Sequence, residues 1–405
     1  MPIADRIAAM HAELTAWRRD IHAHPELGFE ETRTSDMVAA KLAAFGCEVH
    51  RGLGKTGVVG TLRAGSSAPS GARGAPSGAR GARTLGLRAD MDALPIEEAN
   101  PFPHRSQNQG KMPACGHDGH TTMLLGAARY LAETRNFDGT VHFIFQPAEE
   151  GLGGAKAMVD DGLFEKFPCE AIFGMHNRPS LPLGEFAVRA GPMMAGGAFF
   201  DIRVTGKGAH GARPETGIDS VMVAAHIAIA LQTIVSRNAP PVETAVLSVT
   251  KIHGGDAYNV IPQTAQLAGT VRTFSRELMA LIEASMRRIA KGVAEAFGAT
   301  AEVDFRFLFA PTVNDAKEAE FAAGICTELV GAQKVDRNPA LVMASEDFSY
   351  MLEKVPGCYI NIGNGAGEGG CEVHNPAYDF NDAALPLGVS FFARLVETRL
   401  AKRAS

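Results

Sequence analysis

Three apolar runs in this chain stop at residues that ligate metals or move protons, and this pattern narrows the choice of fold more than any other feature. LGLRAD ends at Asp90, VHFIFQP leads into Glu149 and Glu150, and AIFGMH ends at His176. In an open α/β sheet, residues just past the carboxyl ends of the strands share one crevice, so groups far apart in sequence meet in space. Five strings of this kind are present: RADMD (88–92), CGHDGH (115–120), QPAEE (146–150), GMH (174–176) and EVHNP (372–376). They predict a metal centre suited to hydrolysis.

A chain of 405 residues, 46% of them hydrophobic, exceeds what one core usually supports, so two domains are expected. Its 39 Lys and Arg are scattered and outnumbered by 45 Asp and Glu, which leaves no basic face for nucleic acid. The expected partner is a small molecule. Near the N-terminus Ile3, Ile7, Met10, Leu14 and Trp17 fall at helical spacing among charges, without the continuous apolar core of a signal peptide. Neither export nor a membrane partner is predicted. Six cysteines, at 47, 115, 169, 326, 358 and 371, form no Cys-x-x-Cys pair and read as reduced thiols, which points to the cytoplasm.

Residues 64–83 contain the heptad APSGARG twice in tandem and almost nothing able to bury a core. They are predicted to be a solvated flexible insertion between two strands, and their arginines are assigned no binding role. From residue 195 to 308 the pattern becomes strand (AFFDIRVTG), helix, strand (TAVLSVTKIHG), strand (AQLAGTVRTF), helix and strand (TAEVDFRFL). This βαββαβ order is the ferredoxin-like motif, a complete small domain. It interrupts a larger domain made of residues 1–194 and 309–405. The ligand-rich strings lie in both outer pieces, so they form one site only if those pieces fold together.

Cys115 and His117 suit a turn just before a helix whose apolar face comes from HTTMLLGAARYLA. A thiolate and an imidazole are good ligands for zinc and related transition metals, and cations nearby would keep Cys115 ionised. Alone, a cysteine is more often a small core residue. Two histidines and an aspartate within six residues shift that balance. Glu149 and Glu150 are adjacent carboxylates after a buried strand, costly to ionise together without cations. One can bind metal while the other takes a proton from the attacking water. His176 and His374 could each be structural, but with Cys115, His117 and Glu150 they make five ligands, which suits two metals sharing one ligand.

The strings RRDIHAHPELGFEE (18–31), LRADMDALPIEE (87–98), MPACGHDGHTTMLLGAA (112–128), FQPAEEGLGGAKAMVDDG (145–162), GMHNRP (174–179), KGAHGARPETGID (207–219), NVIP (259–262), GTVRTF (269–274), SEDFSY (345–350) and CEVHNPAYDFND (371–382) span nearly the whole chain. With them the chain resembles the aminoacylase and carboxypeptidase-like amidohydrolases, in the branch of hippurate hydrolases and auxin-conjugate hydrolases. The resemblance implies a zinc-peptidase-like α/β catalytic domain with an inserted ferredoxin-like lid and dimerisation domain. It places two divalent metals (zinc, manganese, cobalt or nickel) on Cys115, His117, Glu150, His176 and His374, and the general base on Glu149. More distant relatives have a His-x-Asp pair where Asp90 and Asp92 stand, so these two are expected to orient the ligands, as is His120. No ligand role transfers to His22 or His24. Ser345, Glu346 and Asp347 read as a helix cap.

In the family the lid residues matching His210, Asn259 and Arg272 face the substrate. The implied substrate is a small N-acyl amino acid, whose carboxylate suits the planar fork of Arg272. Asn259 is a donor to the substrate, and His210, reaching across a homodimer from the neighbouring subunit, stabilises the oxyanion. Hydrolysis would release a carboxylic acid and an amino acid. A dipeptidase or an N-acetyl-amino-acid deacetylase would use the same site. A cysteine hydrolase with Cys115 as nucleophile, or a non-catalytic metal or ligand-binding protein, are alternatives of other classes. The first would be sensitive to alkylation and not to chelation, and the presence of both Glu149 and Glu150 argues against the second.

Overall fold

The computed structural model describes residues 5–65, 83–365 and 371–402. The predicted flexible insertion therefore lies almost entirely outside the described residues. Two compact units are present: Met1–Gly191, Val313–Ala340 and Asp347–Ser405 in the first, and Pro192–Thr312 with Leu341–Glu346 in the second. The segment Leu341–Glu346, which the sequence reading leaves in the outer piece, belongs to the second unit.

The first unit opens with α1 (Asp5–Ala9), α2 (His11–Ala23) and α3 (Thr32–Ala44), followed by β1 (Glu48–Leu53), β2 (Gly57–Ala64) and β3 (Thr84–Asp90). Next come α4 (His117–Thr134), β4 (Gly139–Gln146), α5 (Gly154–Asp160), α6 (Leu163–Lys166), β5 (Ala171–Arg178) and β6 (Phe186–Ala187). The chain enters the second unit along β7 (Gly191–Met194).

That unit contains β8 (Gly196–Thr205), β9 (Ala209–His210), α7 (Ser220–Thr233), β10 (Ala245–Gly254), β11 (Val260–Ile261), β12 (Thr264–Thr273), α8 (Arg276–Ala296) and β13 (Thr300–Phe309). Its four long strands form an antiparallel sheet in the order β10-β12-β8-β13, the ferredoxin-like arrangement. Alternation fixes the buried face: Ala265, Leu267 and Val271 of β12 join Ala198, Phe200, Ile202 and Val204 of β8 in one core with α7 and α8. Both helices start at side-chain caps. Asp219 accepts from the backbone N–H groups of Val221 and Met222, and Ser275 accepts from Leu278. By length and composition alone Ser220–Asn238 is apolar enough to cross a membrane, a feature the sequence reading missed. Here α7 buries Val223, Ala224, Ile227 and Leu231 and packs against α8, β10 and β12.

The return runs through β14 (Thr312–Asn314), α9 (Ala316–Val330), β15 (Val335–Asp336), α10 (Ser349–Leu352), β16 (Gly357–Gly363) and α11 (Leu385–Arg399). It completes an eight-stranded sheet in the first unit, ordered β1-β2-β4-β3-β5-β16-β6-β15. The central strands β4, β3, β5 and β16 are parallel neighbours, so their carboxyl ends line one edge. All eight residues of β4 are buried, which is why its sequence reads as largely apolar rather than as an alternation. Three local expectations change. β5 continues to Arg178, so His176 lies within the strand; α4 begins at His117, earlier than its apolar face suggests; and Ser345 caps nothing, since α10 begins at Ser349 without a side-chain cap.

Candidate metal centre

Gly116 makes the turn that separates Cys115 from His117. Its φ of 94° lies in the left-handed region, and an added Cβ would stand 2.3 Å from Asn177 Oδ1 and 2.7 Å from the Tyr378 hydroxyl. Only glycine fits there. The helix that follows puts His117 and His120 one turn apart on the same face. Thr121 Oγ1 donates to the Asp90 carbonyl at 2.7 Å and so ties the start of α4 to the end of β3.

The second carrier is the turn after β4. Ala148 adopts φ of 52°, unusual for a residue with a Cβ, and Glu31 holds it there by accepting the Ala148 N–H at 2.8 Å and the Thr56 hydroxyl at 2.6 Å. Glu149, next in the chain, is buried, and the Glu150 N–H donates to Asp92 Oδ2 at 3.0 Å. The third carrier is the loop bearing His374, itself at φ 65°, pinned by its N–H to the Ala114 carbonyl at 2.7 Å.

These segments bring the donor atoms of Cys115, His117 and His176 within 4.8 Å of one another, and likewise those of Cys115, Glu150 and His374. Cys115 belongs to both groups. His117, Glu149 and Glu150 form a further cluster on the same limit of 4.8 Å. Cys115 Sγ is 3.3 Å from His176 Nε2, and Glu150 Oε1 lies 3.3 Å from His374 Nε2 and 3.9 Å from His117 Nε2.

The hydrogen bonds outside the cluster fix how its members face inward. The Asp92 carbonyl can only accept, so His117 Nδ1 donates to it at 2.8 Å, with Asp92 Oδ1 at 3.2 Å. His176 Nδ1 donates in the same way to the Asn177 carbonyl at 2.6 Å. Each ring therefore turns Nε2 toward the cluster, the arrangement that metal-binding imidazoles use. His117 Nε2 and Glu150 Oε1 are buried with no hydrogen-bond partner among the described residues. His120 is engaged at both nitrogens, Nδ1 with Asp90 Oδ1 at 2.7 Å and Nε2 accepting from the Asn177 N–H at 3.0 Å. Asp90 also accepts from Arg88 at 2.8 Å.

The charges of the cluster demand compensation. Burial would lower the pKa of His117, but Asp90, Cys115 and Asp92 hold it well above the ordinary imidazole range. Cys115 and Glu150 push His374 up to about 10. His176 falls well below its usual value because it is desolvated and lies beside His120. The Cys115 thiol is raised by burial and by the Glu150 charge, so an ionised Cys115 needs cations as the sequence reading supposed. A bound metal would displace protons from these groups and supply the compensating charge. Sulfur, imidazole and carboxylate donors, two of them buried without hydrogen-bond partners among the described residues, fit two divalent metal ions.

Several supporting residues escaped the sequence reading. Arg18 NH1 meets Asp379 at 2.7 Å and its Nε meets Asp382 at 2.6 Å, while His22 lies between Asp118 at 2.9 Å and Glu98 at 3.1 Å. This buried network links α2 to the residue after His117 and to the segment that follows His374. Asp347, expected to be part of a helix cap, instead accepts from Gln146 Nε2 at 2.7 Å and from the Ala155 N–H at 2.8 Å. The only sequence signal for Arg18, His22 and Glu31 was their shared string at 18–31.

His210, Asn259 and Arg272 all belong to the second unit. The short ladder of β9 and β11 sets His210 opposite Val260, and the Gly211 N–H donates to the Asn259 carbonyl at 2.7 Å. His210 is exposed, and its Nδ1 accepts the Ala212 N–H at 3.0 Å, which leaves Nε2 as a proton donor. Arg272, on β12, is partly buried, and burial lowers its pKa. It donates to the Val271 carbonyl at 2.9 Å and pairs with no carboxylate among the described residues.

Residues 86–398 match Peptidase family M20/M25/M40. The chain is 41% identical over 395 residues to hippurate hydrolase of Campylobacter jejuni subsp. jejuni, covering 98% of each chain. It is 39% identical to IAA-amino acid hydrolase ILR1-like 4 of Arabidopsis thaliana, covering 93% of this chain and 83% of that one. A crystal structure of the Bacillus subtilis YXEP protein, described as a dinuclear metal binding peptidase from the M20 family, superposes with a TM-score of 0.81 at 34% identity, covering 97% of this chain and 99% of that one. A family match over most of the chain and identity at this level over its whole length make it a member of the M20/M25/M40 peptidase family.

Proposed function

We propose that this chain is a metal-dependent amidohydrolase that cleaves N-acyl amino acids, hippurate-like ones in particular, into a carboxylic acid and a free amino acid. One observation carries the reading: Cys115 joins two ligand groups, and beside it His117 Nε2 and Glu150 Oε1 are buried, 3.9 Å apart, without hydrogen-bond partners among the described residues. Cys115, His117, Glu150, His176 and His374 would hold two divalent metals, which would supply Lewis-acid polarisation of the amide carbonyl and lower the pKa of a bound water toward neutrality. Zinc, manganese, cobalt and nickel all suit these donors.

The chain's own groups do the rest. Glu149 takes the proton from the attacking water and returns it to the departing amine nitrogen. Arg272 receives the substrate carboxylate in its planar fork, and Asn259 donates a hydrogen bond to the substrate. His210 donates from Nε2 to the oxyanion, in a dimer that brings it from the second copy. The exposed Met222 and Ile229 on α7 and the open edge of β10 support such a dimer, since exposed apolar side chains and an unpaired strand edge both favour a partner.

Elemental analysis should find about two divalent metals per chain, and chelation should abolish hippurate hydrolysis until metal is restored. Amidase activity that survives in fully metal-free protein would refute the mechanism. A panel of benzoyl, indole-acetyl and acetyl amino acids and dipeptides then ranks the acyl groups.

A further inference from the structure

Of the five candidate ligands only His374 is exposed, so something beyond its own surroundings has to hold it in place. The chain after it turns inward at once. Asn375 Oδ1 accepts the Ala377 N–H at 2.9 Å and the Asn375 carbonyl accepts the Tyr378 N–H at 2.9 Å, which closes a tight turn and buries Tyr378 four positions after the ligand. Both ends of that tyrosine are held: its carbonyl accepts from Asn100 Nδ2 at 3.0 Å, and its hydroxyl accepts from Asn177 Nδ2. Asn177 in turn follows His176 and receives that ring's Nδ1–H on its carbonyl. Gly116, between Cys115 and His117, packs so tightly here that an added Cβ would stand 2.3 Å from Asn177 Oδ1 and 2.7 Å from the phenol oxygen. Three ligand carriers therefore meet at one phenol: the turn at Gly116, the end of β5 and the turn bearing His374. A buried phenol whose hydroxyl needs a polar partner has few positions open to it, which makes it a fixed point for the turn it ends.

We infer that Tyr378 is a positioning residue for the metal centre: the hydrogen bond between its hydroxyl and Asn177 sets where the exposed His374 presents Nε2, 3.3 Å from Glu150 Oε1. The inference rests on the reading of Cys115, Glu150 and His374 as ligands of one metal. Tyr378 touches no metal in this scheme and acts only through His374. Replacing it by phenylalanine keeps the ring in the core but leaves the buried Asn177 amide without its acceptor, so the pairing that fixes the turn is lost. Removing a group that orients a ligand weakens metal binding by roughly tenfold to a hundredfold.

The test reads metal binding rather than turnover. Zinc is titrated by equilibrium dialysis into the metal-free full-length chain, in the parent and in Tyr378→Phe, Asn177→Ser, His374→Ala and the double variant Tyr378→Phe with His374→Ala. Tyr378→Phe should bind one of its two zinc ions roughly tenfold or more weakly and the other almost as the parent does. Asn177→Ser, which keeps the tyrosine ring and the backbone contacts of residue 177, should weaken one ion in the same way, and it carries the prediction if thermal melts show Tyr378→Phe unfolded. Because Tyr378 acts through His374, its loss should cost nothing further once His374 is gone, so the double variant should match His374→Ala. Hydrogen exchange of the metal-free protein reads the turn directly: the peptide from His374 to Tyr378 should exchange faster in Tyr378→Phe, with α4 and β5 unchanged. Parental binding of both ions by Tyr378→Phe, equal weakening of both, or a full further loss in the double variant overturns the proposal. If His374→Ala itself binds both ions as the parent does, the ligand reading is wrong and the role of Tyr378 falls with it.

Discussion

The two units hold their functional groups in opposite ways. In the first, Cys115, His117 and Glu149 are buried, and the segments that carry them are locked by Gly116, Asp92 and Glu31. In the second, His210 on a two-residue ladder and Asn259 just before it are exposed, and Arg272 is only partly buried. Metals reward rigid, desolvated donors with fixed geometry, because displaced ligands lose affinity steeply. A carboxylate arriving from water needs donors that stay accessible until it binds. Damage in the first unit should therefore cost metal retention and proton transfer, and damage in the second should leave the metals bound while costing substrate recognition, oxyanion stabilisation or assembly.

The sharpest way to break this comparison is to separate the two adjacent glutamates. Glu149→Gln should keep both metals and lose kcat by at least roughly a hundredfold, the usual loss on removing a general base. Glu150→Gln should instead release metal, because it removes the charged oxygen that faces His117 and His374. Metal content and kcat are measured on the same samples. Metal loss in Glu149→Gln with retention in Glu150→Gln would mean the pair is assigned the wrong way round.

His210 gives the next largest effect. His210→Ala should lower kcat by roughly a hundredfold, as loss of an oxyanion donor does, with metal content unchanged. Mixing it with Glu149→Ala subunits should then recover activity, because each mixed dimer holds one intact site of two. After full exchange about half the dimers are mixed, which gives roughly a quarter of parental activity. Differently tagged subunits that exchange and stay inactive would place His210 in its own chain's site, or outside any site.

A subtler change tests the mount beneath Glu149. Glu31→Gln keeps the shape but puts an amide where the carboxylate accepts from Ala148 and Thr56. Kcat should fall by roughly tenfold, the cost of one charged hydrogen bond at a strained turn, with KM little altered. A variant with parental kcat would show that the Ala148 turn holds itself.

The same contrast explains what the sequence disclosed. The candidate ligand strings stood out because buried parallel strands read as largely apolar runs, and Glu149 and Glu150 follow closely on one of them. The βαββαβ order was legible because each helix and strand there carries its own period. What escaped was pairing over distance: His22 meets Asp118 across 96 positions, and Glu31 meets Ala148 across 117, with nothing local to announce either. Ser345 was misread for a related reason. Ser-Glu-Asp has the local look of a helix start, but its hydroxyl and Asp347 take their surroundings from other parts of the chain. His176 and the start of α4 were placed a few positions off, since the end of an apolar pattern does not coincide with the end of backbone hydrogen bonding.

His22 tests that long-range framework with the smallest expected effect on turnover. Burial would lower its pKa, but Asp118 and Glu98 outweigh burial and raise it from 6.5 to about 9. A group whose folded pKa is raised stabilises the fold fully below its unfolded pKa, and that stability is lost as the pH rises through the folded value. A shift from 6.5 to about 9 corresponds to something on the order of 3 kcal/mol at most. His22→Gln should therefore be less stable than the parent by its largest margin near pH 6, and the margin should shrink steadily between pH 6.5 and pH 9. Below that range the advantage fades again as Asp118 and Glu98 protonate, since His22 helps to hold both below the usual carboxylate range. Denaturant midpoints at pH 6 and pH 9.5 read the difference directly. A stability gap of the same size at both pH values would mean that His22 acts by packing against Phe102 and His104, with its charge playing no part.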